Sequence, residues 1–243
     1  MSFARPEFSK NDVNRAGKLL AADPPEWDKL AWATDVLANW RACHLYPINT
    51  FQATLRGRVG KIDDNAIVAQ RLKRAPSVVA KLQRFNTMIL AQMQNIGGLR
   101  AIVGTVPQVR RLEALYRDPK SLKHSLVSSK DYITTPKSDG YRGVHLVFRY
   151  KSDSAPRYNG LHVELQIRTK MQHAWATAVE TMGTFLGQAL KSGQGDTQWR
   201  DFLQLQAQHL HIWRDLLQCP VFKAFHQRLH ILQLQTPKPH WEY

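Results

Sequence analysis

Cysteine is scarce in this sequence: Cys43 and Cys219 are the two in 243 residues, far apart and outside any ligand motif. That speaks against a disulfide framework and a cysteine zinc site, and leaves two ordinary reduced thiols. Long apolar runs are missing too. No stretch approaches the ~20 residues that a membrane span needs, so no membrane partner is expected. Met1 to Lys10 has no apolar core and reads as no secretory signal, which makes the cytoplasm the default location. Internal repeats and low-complexity tracts are absent. Acid is under-represented: 19 Asp and Glu stand against 34 Lys and Arg, giving a formal net charge of +15. Such an excess attracts polyanions such as nucleotides, RNA or DNA, although charge alone does not separate a nucleoside triphosphate from a tRNA. The rest is ordinary. Hydrophobic residues at 43% and charged residues at 22% are usual for a globular protein, and 243 residues suffice for one domain with a sizeable core, or one domain with helical extensions.

Asp23-Pro24-Pro25-Glu26 is a helix-start signal, and apolar spacing from Trp27 predicts a helix over 26–44 that ends before Tyr46-Pro47. Ala66 to Lys73 reads as a further helix, halted at Ala75-Pro76. Ser77 is a candidate cap for the next one, whose stripe is Val78, Val79, Leu82 and Phe85. Leu99 to Val103 reads as a buried strand, 107–116 as a helix and 128–143 as a polar loop. His145 to Tyr150 and Leu161 to Thr169 read as two strands of a long-looped hairpin. The second alternates: Val163, Leu165 and Ile167 share one face, and His162, Glu164, Gln166 and Arg168 the other. An acid, an amide and a guanidinium in a row suggest the floor of a site. Helices are expected over 171–190, over 197–217 and after Pro220. The order implies an α+β fold: a mixed sheet flanked by helices. Its expected limits are a helical extension over 1–65, a core over 66–190 and a second helical extension over 191–243. His226 and His230 have helical zinc spacing but no third ligand, and His209 and His211 diverge on a helix, so no zinc site is expected.

Four segments, in order, resemble the RelA/SpoT synthetase family. Arg71-Leu-Lys73-Arg-Ala-Pro-Ser77-Val-Val-Ala-Lys81 is similar to its ATP-binding segment. Asn95-Ile-Gly-Gly-Leu-Arg100 resembles its Asp-Ile-x-Gly-Ile/Leu-Arg segment, with Asn for Asp. Asp131 to His145 resembles its acceptor-nucleotide loop, and Glu164-Leu-Gln166-Ile-Arg168-Thr169 its second catalytic strand. Any one is weak. Four in order across 71–169 agree with one another.

The resemblance implies a nucleotidyltransferase-like fold that moves pyrophosphate from ATP to a ribose 3′-hydroxyl. Arg71 and Arg100 would sandwich adenine, a role that suits a planar, always-charged group. Lys73, Ser77 and Lys81 would reach the phosphates. Tyr141 would stack on the acceptor base, a contact worth roughly 1–3 kcal/mol. Lys137 and Arg142 would touch acceptor phosphates. His145 and Gln166 would line the ribose end, and Arg168 closes the acceptor set. In the family an Asp at the position of Asn95, with a Glu at that of Glu164, holds Mg²⁺. Asn95 keeps a carbonyl oxygen but loses the charge, so metal affinity and transition-state charge balance should both suffer. The exchange fits both an engineered silencing and a natural departure.

Three functions are therefore open. The first is an alarmone synthetase with ATP as donor and GDP or GTP as acceptor, in a small type that can form homo-oligomers. The second is a toxin of the same family acting on the 3′ end of tRNA, favoured by the +15 charge and expected to have an antitoxin partner. The third is a nucleotide or RNA binder without turnover.

Overall fold

A computed structural model describes residues 3–137, 139–187, 197–198 and 201. Cys219, the four histidines from His209 to His230 and nearly all of the helices expected beyond 190 fall outside the described residues. The chain divides into two compact units: 1–137 with 142–173, and 138–141 with 174–243. The first contains the sheet.

Three helices open the first unit: α1 (Lys10–Ala21), α2 (Trp27–Cys43) and α3 (Leu45–Gly60). Ser9 and Asp12 close a reciprocal capping box at the start of α1. The 23–26 signal does precede α2, but the residue at the cap is Glu26, without a side-chain cap bond. The helix ends as expected, ahead of Tyr46-Pro47. A new helix then begins at once, with Pro47 in the first turn of α3, where its missing N–H costs nothing.

The expectation for 66–73 was wrong. Ile67–Leu72 is a strand, β1, and not a helix. It is followed by α4 (Ala75–Arg84), β2 (Gly97–Val103), α5 (Val106–Arg117), β3 (Ser125–Asp131), β4 (Val144–Arg149), β5 (His162–Thr169) and α6 (Lys170–Phe185). Ser77 does not cap α4. Arg74 holds that position, and Ser77 lies within the first turn. The presumed loop over 128–143 is strand as far as Asp131.

The sheet order is β1-β2-β5-β4-β3. β2 and β5 run parallel; every other neighbouring pair is antiparallel, and β4 and β5 form the expected hairpin. This is an α+β fold on a mixed sheet.

Register sorts the side chains by face. Leu99 and Ala101 of β2, Val163, Leu165 and Ile167 of β5, and Val144, Leu146 and Phe148 of β4 share one face and are all buried. Phe51 of α3 and Tyr116 of α5 pack their rings on Phe148, so helices cover this face. Burial of such side chains is the main source of stability, at ~1.5–3 kcal/mol each. The opposite face carries Arg71, Arg100, Glu164, Gln166, His145 and Lys130. The alternation of β5 thus divides a structural face from a chemical one.

Candidate active site

The chemical face is laid out in two rows. Register aligns Arg71 of β1, Gly98 of β2 and Glu164 of β5. One step along, it aligns Arg100, Gln166, His145 and Lys130. Parallel pairing of β2 with β5 is what brings the 95–100 segment beside the 164–169 segment. Glycine at 98 puts no side chain between Arg71 and Glu164.

Hydrogen bonds tie these rows together. Glu164 Oε1 lies 3.0 Å from His145 Nδ1, and Glu164 Oε2 accepts from Gln166 Nε2 at 2.9 Å. The amide oxygen of Gln166 accepts in turn from Arg100, at 3.4 Å from Nε and 3.2 Å from Nη2. Gln166 therefore couples the guanidinium to the carboxylate. Burial alone would push the Glu164 carboxyl up. The bonds from His145 and Gln166 and the field of Arg71 outweigh it and hold the group below its ordinary value. Glu164 is therefore an anion at neutral pH.

Asn95 sits just before β2. Its Oδ1 accepts from Lys81 Nζ of α4 at 3.3 Å. Burial lowers the Lys81 pKa against the attraction of Glu164, and the nearby charges of Arg84, Lys130 and Lys137 act the same way. Among the described residues, Lys81 thus feels the charges of three further cations and the attraction of Glu164. Anions relieve such crowding.

The remaining residues take more peripheral places. Lys73 extends the line of β1: its N–H donates to the Ile96 carbonyl, and its own carbonyl accepts from Arg41 Nε. Ser77 is exposed in the first turn of α4. Lys137 Nζ lies 4.5 Å from the ring centre of Tyr132, which meets the His145 ring edge-on at 5.2 Å. Arg142 is half-buried ahead of β4, whereas Arg168 is buried, with 2% of its surface exposed. Burial pushes the nearby His173 down to about 4, helped by the charges of Arg168 and Arg100. Tyr141 belongs to the second unit, where its N–H donates to Asp139 Oδ1, and the Asp139 carbonyl accepts from Trp175 Nε1.

Sequence reasoning missed Arg84 and Lys130 as members of the cluster. Arg84 follows Lys81 by nearly one helical turn, a signal that was available. Lys130 became visible only with β3, which sets it opposite His145.

Among the described residues, no group of three or more His, Cys, Asp and Glu side chains is placed to hold a metal ion. What the site offers a divalent cation is one ionised carboxylate, Glu164, and one neutral amide oxygen, Asn95. That set fits a magnesium ion taking most of its ligands from substrate phosphates and water, and it fits no all-protein cage.

The region found in RelA / SpoT proteins matches residues 70–183. Residues 70–183 are a RelA/SpoT-type region. GTP pyrophosphokinase YwaC of Bacillus subtilis is 30% identical over 112 residues, which cover 44% of this chain and 52% of YwaC. The chain spans about half the length of the curated GTP pyrophosphokinases it matches. The small alarmone synthetase 1 of Bacillus subtilis has the same fold, with a TM-score of 0.61 at 22% identity over 80% of this chain and 99% of the other. A second structure of that protein, bound to its product pppGpp, gives 0.58 at 22% identity over 72% and 91%. Among the described residues, no helix is long and apolar enough to cross a membrane.

Proposed function

We propose that this domain transfers the β,γ-pyrophosphate of ATP to the ribose 3′-hydroxyl of GDP or GTP, with AMP as the leaving group, and that Asn95 slows the reaction. The observation that carries this reading is the Arg100–Gln166–Glu164–His145 chain, set beside the Lys81 cluster in a RelA/SpoT-type domain. The likeness to proteins named GTP pyrophosphokinase supports a guanine nucleotide as acceptor.

Such a transfer needs a triphosphate neutralised and an acceptor hydroxyl held in line, so positioning and electrostatics supply most of the catalysis. Arg71 and Arg100 flank the donor base. Lys73, Ser77 and Lys81 bind its phosphates. Lys137 and Arg142 bind acceptor phosphates, Tyr141 stacks on the acceptor base, and Arg168 supports the acceptor side. Glu164 accepts the proton of the 3′-hydroxyl, and His145 and Gln166 keep its oxygens oriented. Magnesium, held by Glu164 and weakly by Asn95, would neutralise phosphate charge. With Asn95 the site has one protein anion where the family has two, and the Asn95 oxygen is already engaged by Lys81.

That engagement also favours a second reading: a pocket that binds nucleotide and barely turns it over. One paired assay separates the two. This chain and Asn95→Asp are each given γ-labelled ATP and Mg²⁺, with GDP, GTP, ATP or deacylated tRNA. Label on GDP or GTP from Asn95→Asp supports the synthetase. Label on tRNA shifts the reading to the tRNA-modifying toxin. No transfer by either chain while ATP still binds leaves the binding module.

A further inference from the structure

A cluster outside the substrate site grips the stem of the acceptor loop. Glu113 of α5 is largely buried and bridges two arginines of its own helix. Its Oε2 meets Arg110 Nη1 at 2.7 Å, and its Oε1 meets Arg117 Nε at 2.8 Å. Each arginine then reaches β3 or the turn after it. Arg117 donates to the Ser129 hydroxyl. Arg110 Nη2 lies 2.9 Å from Asp131 Oδ2 and 3.1 Å from the Thr134 hydroxyl.

Asp131 is the knot of this stem. Its carboxylate also accepts from the Ile133 and Thr134 N–H groups and the Thr134 hydroxyl. Burial is the largest single influence and pushes the carboxyl up, but the bonds from Thr134, Arg110 and Ile133 together outweigh it and bring the group down to about 2. The next residue, Tyr132, donates its N–H to the Gly143 carbonyl and closes the loop base. The Tyr132 ring then rests on His145, whose Nδ1 meets Glu164. An unbroken line of contacts runs from Arg110 to the carboxylate of the site.

We propose that Arg110, backed by Glu113, is a positioning residue: by fixing Asp131 it sets Tyr132 against His145 and so holds the acceptor side of the site in register with Glu164. The inference rests on the proposed function for its kinetic consequence only. The geometric part stands on the contacts themselves.

The test uses Arg110→Met and Arg110→Lys, each in the Asn95→Asp chain for kinetics and in the unaltered chain for NMR of the His145 ring. Asp131→Asn, which keeps an acceptor oxygen for the turn, is the second variant should Arg110→Met fold poorly. The expected result is a rise of about tenfold in the acceptor KM, with the ATP KM unchanged. Arg110→Lys should recover most of the loss, and the His145 resonance should move in Arg110→Met but not in Arg110→Lys. Two outcomes overturn the proposal: an unchanged acceptor KM and His145 signal, or equal increases in both KM values with a lowered Tm, which marks general destabilisation. If the Asn95→Asp parent transfers nothing, the proposed function has failed, and the His145 resonance alone decides the role of Arg110.

Discussion

At position 95 one atom matters. Asparagine and aspartate have nearly the same shape, so the exchange leaves the fold alone and changes the charge beside Lys81 and Glu164. Restoring the carboxylate gives Lys81 an ion pair and the pocket a second anion. Asn95→Asp should therefore raise the transfer rate by about 10²–10³-fold, the scale of one electrostatic contact at a reacting centre. The labelled-ATP assay reads this directly, and equal rates for the two chains would remove Asn95 from the explanation. Glu164→Gln in the Asn95→Asp background should abolish that gain while leaving the circular dichroism spectrum and Tm close to the parent. The carboxylate supplies charge and a proton acceptor to a face that the core does not use. A persistent rate in Glu164→Gln would transfer the proton-accepting role to another group.

At the scale of elements, legibility followed the number of sheet neighbours. β5 is paired on both sides and has one face buried. Its alternation of Val163, Leu165 and Ile167 with Glu164, Gln166 and Arg168 was plain in the sequence, and with it the floor of the site. β1 is an edge strand, exposed along most of its length, so no alternation marks it. Its Ile-Val-Ala run beside Arg71 and Lys73 resembles a helix face until β2 pairs with it. β3 is the other edge, and its run of serines carries a register shift between Leu126 and Ser128. Small polar residues read as loop, and pairing with β4 decided otherwise. The motif residues were readable because they lie in compact segments. Arg110 and Lys130 were not, because their roles depend on what the fold sets opposite them. Gly97 shows the same dependence from inside the core. A Cβ there would stand 2.9 Å from Ile48 Cδ1 and 3.1 Å from His44 Cβ, so α3 touches the β2 backbone itself. Gly97→Ala should destabilise the protein by about 1–3 kcal/mol, seen as a lower urea midpoint. An unchanged midpoint would mean that α3 shifts away without cost.

For the whole molecule, buried histidines set the response to acid. His44 is fully buried, with its Nδ1 donating to the Trp40 carbonyl at 2.8 Å, and burial pushes it down to about 4. An unfolded histidine takes its proton near pH ~6.5. Between those values the unfolded chain binds more protons than the folded one. The stability linked to His44 is therefore complete above that upper value and declines as the pH falls towards about 4. His173, also held near 4, adds to the same window. Tm measured across this range should fall with acid, and His44→Gln should flatten the slope even if it lowers stability overall. A slope that is the same in His44→Gln would place the titration elsewhere.

The parallel pairing of β2 with β5 has a consequence for the order of events during synthesis. Lys81, Asn95 and Arg100 leave the ribosome more than sixty residues before Glu164, and β1, β2 and α4 can form without it. Until the β4–β5 hairpin inserts between β2 and β3, this half of the site is an uncompensated cluster of cations with no carboxylate opposite. A nascent chain arrested at about residue 150 would offer polyanions a basic surface, and arrival of the last strand would set the Glu164 carboxylate beside those cations.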